Sequence, residues 1–315
     1  MKMGGNKNFG YGRSIGYAIR NILIEKCLGQ SGKTEHTNKA QLVCFQKFLM
    51  GQGIRDLRSV DLSVVEAYGR SLGDMVENFV IAVSTAQNRI AAVNRLMAHA
   101  RADRAVWISP SQFVGRRSAL AVDAPLSSDL DKVLKLVADL IVQEDYRSAL
   151  LVLSCRLLGA RVREASVLKL RPALRSVKKR GVVTITLGSK GGRARKIPRV
   201  ITPAPEYLEI FCALERQIPD DSLIPKGRRF TDWYQDAYRT TKPLAERLGL
   251  ATGFHDYRRA WACQKYAELT GCDAPCVEGR RIANKAADTD ARRWLAEALG
   301  HGRTQIAGAY IGGVR

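Results

Sequence analysis

One short β-branched run limits this chain more than any other feature. Val182-Val-Thr-Ile-Thr-Leu187 reads as a strand, and Lys196-Ile-Pro-Arg-Val-Ile201 reads as its partner. The basic segment Gly188-Ser-Lys-Gly-Gly-Arg-Ala-Arg195 joins them as a hairpin loop. Elsewhere apolar residues recur at helical spacing, so the fold is expected to be mainly α with one small antiparallel sheet. Before this hairpin, helices are expected from about Ser14 to Cys27, Asn38 to Met50, Asp61 onward, and Thr85 to Arg104. No strand pattern interrupts them. Ser109 to Asp123 carries Pro110, Gly115, Arg116 and Arg117 with little periodicity, which suggests a connector. Ser127-Ser128-Asp129 then caps a helix to about Val142, and the strongly apolar Arg147 to Leu158 forms a buried one. The expected organisation is a helical domain over 1–108, a linker over 109–124, and a mostly helical α/β domain over 125–315.

Charge narrows the partners. Lys and Arg number 51 against 30 Asp and Glu, a net charge of +21. The excess is not confined to a tail: 17 basic residues face 9 acidic ones up to Asp123, and 34 face 21 beyond it. Two basic domains suit a polyanion held between or around them, and nucleic acid is the first candidate. No apolar run approaches the roughly 18–20 residues that cross a bilayer, so no membrane partner is expected. The polar, Gly-rich Met1 to Arg13 does not resemble a secretory signal. Seven scattered Cys fit reduced thiols in a cytoplasm. Cys272-Asp-Ala-Pro-Cys276 has no second Cys/His pair nearby, so no metal site is expected.

Four stretches and one tyrosine make chemical sense together. They are Gly159-Ala-Arg-Val-Arg-Glu164, Gly188-Ser-Lys-Gly-Gly192, His255-Asp-Tyr-Arg258, Leu299-Gly-His301, and Tyr310 nine residues later. Taken in this order, over roughly Leu126 to Ile311, they resemble the tyrosine recombinase (phage integrase) family. The helical unit before them resembles that family's core-binding domain in architecture only. Carried over position by position, the resemblance selects Arg161, Lys190, His255, Arg258, His301 and Tyr310 as catalytic residues. Arg163 competes with Arg161, but the Gly-x-Arg-x-x-Glu register favours the latter. Lys190 competes with Arg193, Arg195 and Lys196 in one loop. Tyr257 competes with Tyr310, which alone has the family's spacing from a Leu-Gly-His box. Glu164 reads as a buried orienting carboxylate.

The resemblance implies a site-specific DNA recombinase or integrase that integrates or excises a mobile element of bacterial or phage origin. It would work on double-stranded DNA as a homo-tetramer, with accessory DNA-bending or directionality factors, in the cytoplasm near the nucleoid. The chemistry suits the residue types. Two guanidinium forks, Arg161 and Arg258, can hold the nonbridging oxygens of a phosphodiester as charge builds on them. Tyr310 would attack phosphorus and form a covalent 3′-phosphotyrosine. Lys190 would protonate the leaving 5′-oxygen, His255 would assist at the tyrosine proton, and His301 would donate to a phosphate oxygen. The stored bond makes religation independent of ATP and metal, and no Walker-type motif is present. Two other readings stand beside this one: a type IB topoisomerase-like strand transferase, and a catalytically idle DNA-binding regulator on the same fold.

Two departures from the family pattern stand out. Arg258 and His301 are 43 residues apart, more than simple family members need, and only five residues follow Tyr310. The surplus, Thr270 to Ala291, reads as an insertion after the His-box helix. It is expected to supply a subunit or DNA contact.

Overall fold

Helix forms wherever apolar residues recur every three or four positions, and the computed structural model describes this for residues 6–27, 32–188, 198–301 and 303–313. The chain separates into two units, Met1–Ser118 and Ala119–Arg315.

In the first unit, α1 (Ile15–Cys27) buries Ile15, Ile19, Ile22 and Leu23. Helix α2 (Gly32–Gly51) contributes Leu42, Phe45 and Leu49 to the same core. Helix α3 (Leu62–Glu77) starts where the Asp61 carboxylate accepts the Val64 N–H at 3.0 Å, satisfying one of the orphan donors of its first turn. Its Tyr68 ring lies 5.0 Å from Phe45 and 5.2 Å from Phe48. Each large apolar side chain buried here contributes about 1.5–3 kcal/mol. Helix α4 (Val83–Arg101) stops short of the expected Arg104 because Ala102 turns left-handed at φ 60°.

Part of the segment that reads as a connector belongs to this unit. Pro110–Val114 forms a short helix, α5, with Val114 buried. It crosses α3 at Gly73, where a Cβ would stand 2.7 Å from the Phe113 carbonyl oxygen. Asn94 holds the approach to α5, donating to the Ile108 carbonyl at 2.7 Å and accepting the Ile108 N–H at 3.2 Å. The division between units falls between Ser118 and Ala119.

The second unit is organised around α7 (Tyr146–Leu157), in which Ser148 to Leu157 are all buried. Helices α6 (Leu130–Val142) and α12 (Phe254–Thr270) pack on it. The carboxylates of Asp129 and Asp145 cap α6 and α7. Next come α8 (Val162–Ser166) and α9 (Leu170–Arg180). Strands β1 (Val183–Ile185) and β2 (Arg199–Ile201) pair antiparallel, with Thr184 opposite Val200. They are shorter than the apolar runs that announce them. Residues 189–197 of the loop between them, with Lys190, Arg193, Arg195 and Lys196, lie outside the described residues. Helices α10 (Pro205–Glu215) and α11 (Phe230–Arg247) complete the face around α7.

Part of the stretch from Thr270 to Ala291 packs into the core: it holds α13 (Pro275–Glu278) and the start of α14 (Lys285–Ala298), and Ala274, Cys276, Ala283, Asp288 and Ala291 are buried while most of the positions between them are exposed. A 3₁₀ turn (Thr304–Ala307) and α15 (Gly308–Ile311) follow. No helix among the described residues is long and apolar enough to cross a membrane.

Candidate active site

The site begins where α7 ends. Gly159 takes φ +54°, and a Cβ there would stand 2.4 Å from Trp261, so the turn out of α7 requires glycine. The chain then enters α8 with Arg161 at its N-cap. Three residues on, the Glu164 carboxylate accepts the Arg161 N–H at 2.9 Å and its Nη1 at 2.5 Å. Backbone and guanidinium of Arg161 are thus fixed by one buried acid.

Two further guanidinium groups surround Glu164. Arg199, on the inward face of β2, pairs with its Oε2. Arg258 of α12 lies 3.5 Å from the same oxygen. Burial alone would raise the Glu164 pKa, but Arg199, Arg258 and Arg161 together hold it below 4.5. Burial lowers the Arg199 pKa to about 9 and also lowers that of Arg258. With three guanidinium groups against one carboxylate, the pocket carries surplus positive charge and suits an anion.

Tyr310 of α15 closes the cluster. Arg258 Nε donates to its hydroxyl at 3.3 Å, and His301 Nε2 lies 3.1 Å from that oxygen. Arg161 Nη2 approaches the same His301 nitrogen at 3.2 Å. Because a guanidinium can only donate, Nε2 is assigned as an acceptor and the ring proton lies on Nδ1. Burial first, then Arg161, Arg258 and Arg199, lowers the His301 pKa to about 4, so the ring is neutral at pH 7. His255 opens α12 and faces the site through its ring, 5.4 Å from that of Tyr310. Partial burial and the cations Arg258, Arg259 and Arg161 lower its pKa as well.

Five of the six residues selected from the sequence therefore converge: Arg161, His255, Arg258, His301 and Tyr310. The two arginines are not equivalent. The Arg161 side chain keeps 26% of its surface exposed, whereas Arg258 keeps 1%. Arg258 also donates to the carbonyls of Gly159 and, at 2.7 Å, Leu299. Lys190 lies outside the described residues. Gly188, the last described residue before it, lies against α8, where a Cβ would stand 2.5 Å from the Arg163 carbonyl oxygen.

Sequence reasoning misses Arg199. It donates to the Ala298 carbonyl at 2.6 Å and passes Gly300, where a Cβ would stand 2.7 Å from its Cδ. It thereby ties the Glu164 box to the Leu-Gly-His box. Its signal lies in strand alternation: Arg199 and Ile201 share a face, so one inward position is charged.

Glu164→Gln should lower stability by about 3–5 kcal/mol at pH 7, because it strands buried guanidinium charge. Since the folded-state pKa is depressed, the wild-type contribution is present above pH 4.5 and is lost as pH falls through the folded value. Denaturant titrations of both proteins should therefore differ at pH 7 and converge in acid.

No protein-family model matches the chain, and no curated protein matches it in sequence. Solved structures do. A lambda integrase (75–356) dimer bound to a COC′ core site aligns with TM-score 0.59 at 15% identity, over 92% of each chain. A lambda integrase tetramer bound to a Holliday junction aligns with TM-score 0.58 at 14% identity, over 93% of this chain and 74% of that one. With the mainly helical architecture and the two-stranded antiparallel sheet, these alignments establish that the chain has the tyrosine recombinase (integrase) fold.

Proposed function

We propose that this protein is a site-specific DNA recombinase that cleaves and rejoins strands through a covalent 3′-phosphotyrosine. The observation that carries the reading is the Tyr310 hydroxyl, held between Arg258 Nε and a neutral His301 Nε2 within a surplus of positive charge. A scissile phosphate entering beside Arg161 would meet the more open guanidinium. The Tyr310 Oη–P bond forms as the P–O5′ bond breaks, and the 5′-oxygen leaves after gaining a proton. Lys190 is carried by the resemblance as that proton's donor.

The tyrosine proton goes first to His301 Nε2, the acceptor at 3.1 Å. His255, expected to assist at this proton, faces the Tyr310 ring at 5.4 Å. The negative charge of the phosphate raises the affinity of His301 for that proton. Once protonated, His301 can donate to a phosphate oxygen, so its expected role follows as a second step. Assembly as a tetramer on paired DNA sites belongs to the same reading, supported by the tetrameric lambda integrase of the same fold.

A suicide substrate nicked close to the cleavage site tests this reading. The expected result is a denaturant-stable protein–DNA adduct, with joining when two sites are supplied. The absence of an adduct would reject it. An adduct that relaxes supercoils without joining sites would favour a topoisomerase. A net charge of +21 also predicts steep salt dependence. Affinity should fall by roughly 10³-fold or more between 50 and 200 mM salt if about six or more phosphates are contacted. Fluorescence anisotropy across that range checks this, and a flat profile would contradict a phosphate-dominated interface.

A further inference from the structure

The segment that carries Tyr310 is held by residues to which the proposed chemistry assigns no part. Arg292, on α14, donates from Nη1 to the Gly312 carbonyl at 3.0 Å and from Nη2 to the Gly313 carbonyl at 3.5 Å. Its Nε lies 2.9 Å from both carboxylate oxygens of Asp288, one turn earlier. Asp288 is buried, with 2% of its surface exposed, and also accepts the Tyr266 hydroxyl at 2.8 Å. A polar chain thus runs from α12 through α14 to the backbone just beyond Tyr310.

The other side of the segment is fixed as well. Ala121 N–H donates to the Gly308 carbonyl at 2.9 Å. The thiols of Cys263 and Cys276 lie 3.6 and 3.7 Å from the Tyr310 carbonyl oxygen. Gly312 has φ +92°, and a Cβ there would stand 2.7 Å from the Cys276 nitrogen. Its conformation and its close approach to α13 both require glycine. Asp288, Cys276 and Gly312 meet here because Thr270 to Ala291 folds inward.

We propose that Asp288 and Arg292 are positioning residues. They clamp the Tyr310 segment so that the hydroxyl is delivered to the arginine cluster of its own chain before DNA arrives. Arg292 is suited to this because its planar fork spans two carbonyls while Asp288 fixes its orientation. Only backbone atoms are gripped, so the clamp acts on where Tyr310 stands and not on its acidity. Displacing a reacting group by about 1 Å can cost on the order of 10²-fold in rate. The proposal rests on Tyr310 being the nucleophile.

The test uses the full chain as Arg292→Met and Arg292→Lys. Two readouts are taken: hydrogen exchange of the 308–313 amides without DNA, and single-turnover adduct formation on the nicked substrate. Arg292→Met should keep DNA affinity, lose protection at 308–313, and form adduct on the order of 10²-fold more slowly. Arg292→Lys, which keeps the charge but not the fork, should fall between it and the wild type. If Arg292→Met fails to fold, the Lys variant decides the question on both readouts. Unchanged protection, or lost protection with an unchanged cleavage rate, would overturn the clamp. If the wild type forms no adduct, the recombinase reading fails, while the exchange data still decide whether Arg292 holds the segment.

Discussion

Replacing Tyr310 with Phe should abolish covalent capture of the nicked substrate while DNA affinity stays within about twofold. One phenolic hydroxyl supplies little of a binding energy that is spread over many phosphate contacts. The ring should remain in place. It lies 5.3 Å from the Arg258 guanidinium and 5.4 and 5.7 Å from the rings of His255 and His301, contacts that Phe can keep. What disappears is the oxygen shared by Arg258 Nε and His301 Nε2. The stability change should be about 1 kcal/mol, the usual worth of such hydrogen bonds. A denaturing gel of the trapped complex reads the outcome. Persistent adduct would place the nucleophile elsewhere. Tyr257, the other tyrosine near a motif, is a poor substitute: it has no exposed surface, and burial raises its pKa.

That prediction can be framed from sequence because the resemblance to the tyrosine recombinases supplies the order and spacing of its polar residues. Tyr310 and His301 are nine positions apart, and the chain brings their side chains within 3.1 Å. Glu164 reads as an orienting acid because it fills the Glu of the Gly-x-Arg-x-x-Glu box that the resemblance supplies. The helices are legible from spacing: Leu42, Phe45 and Leu49 repeat at the period of a helix and point into one core. Helix α9 is obscured by charge, although Leu170, Ala173 and Val177 form its buried stripe. The stretch 270–291 reads as surplus because its buried positions are small or polar. Ala274, Cys276, Ala283 and Asp288 give weak periodicity, and their place in the core depends on partners such as Tyr266 and Arg292 on other helices. Pairings of that kind are tertiary, and no spacing within the segment encodes them. Arg199 escapes notice because a charged residue in a strand is usually an outward one. Here the inward position is filled by a guanidinium because Glu164 waits for it across the core.

Arg161→Ala should slow adduct formation by about 10²–10³-fold, equivalent to roughly 3–4 kcal/mol of lost transition-state stabilisation. Fold and DNA affinity should change little. The separation between rate and stability follows from the placement of Arg161. Its backbone N–H keeps its bond to Glu164 whatever the side chain, so the start of α8 survives. Glu164 keeps Arg199 and Arg258 as partners, so it is not left as an isolated buried charge. The sequence alone makes Arg161 and Arg258 equal members of a phosphate clamp, but the structure makes their alanine variants unequal experiments. Arg258→Ala would leave the Leu299 carbonyl without its donor, leave the Gly159 carbonyl with only the longer Arg199 bond at 3.3 Å, and open a cavity in the core, so slower cleavage would be confounded with a damaged fold. Arg161 can be removed with far less disturbance, and its effect reads on the chemistry. Single-turnover cleavage, thermal unfolding and DNA anisotropy on the same variant give the three quantities required. A cleavage rate close to the wild type would remove Arg161 from the transition state. A loss of DNA affinity as large as the loss of rate would instead make it a residue that binds the ground state and the transition state alike.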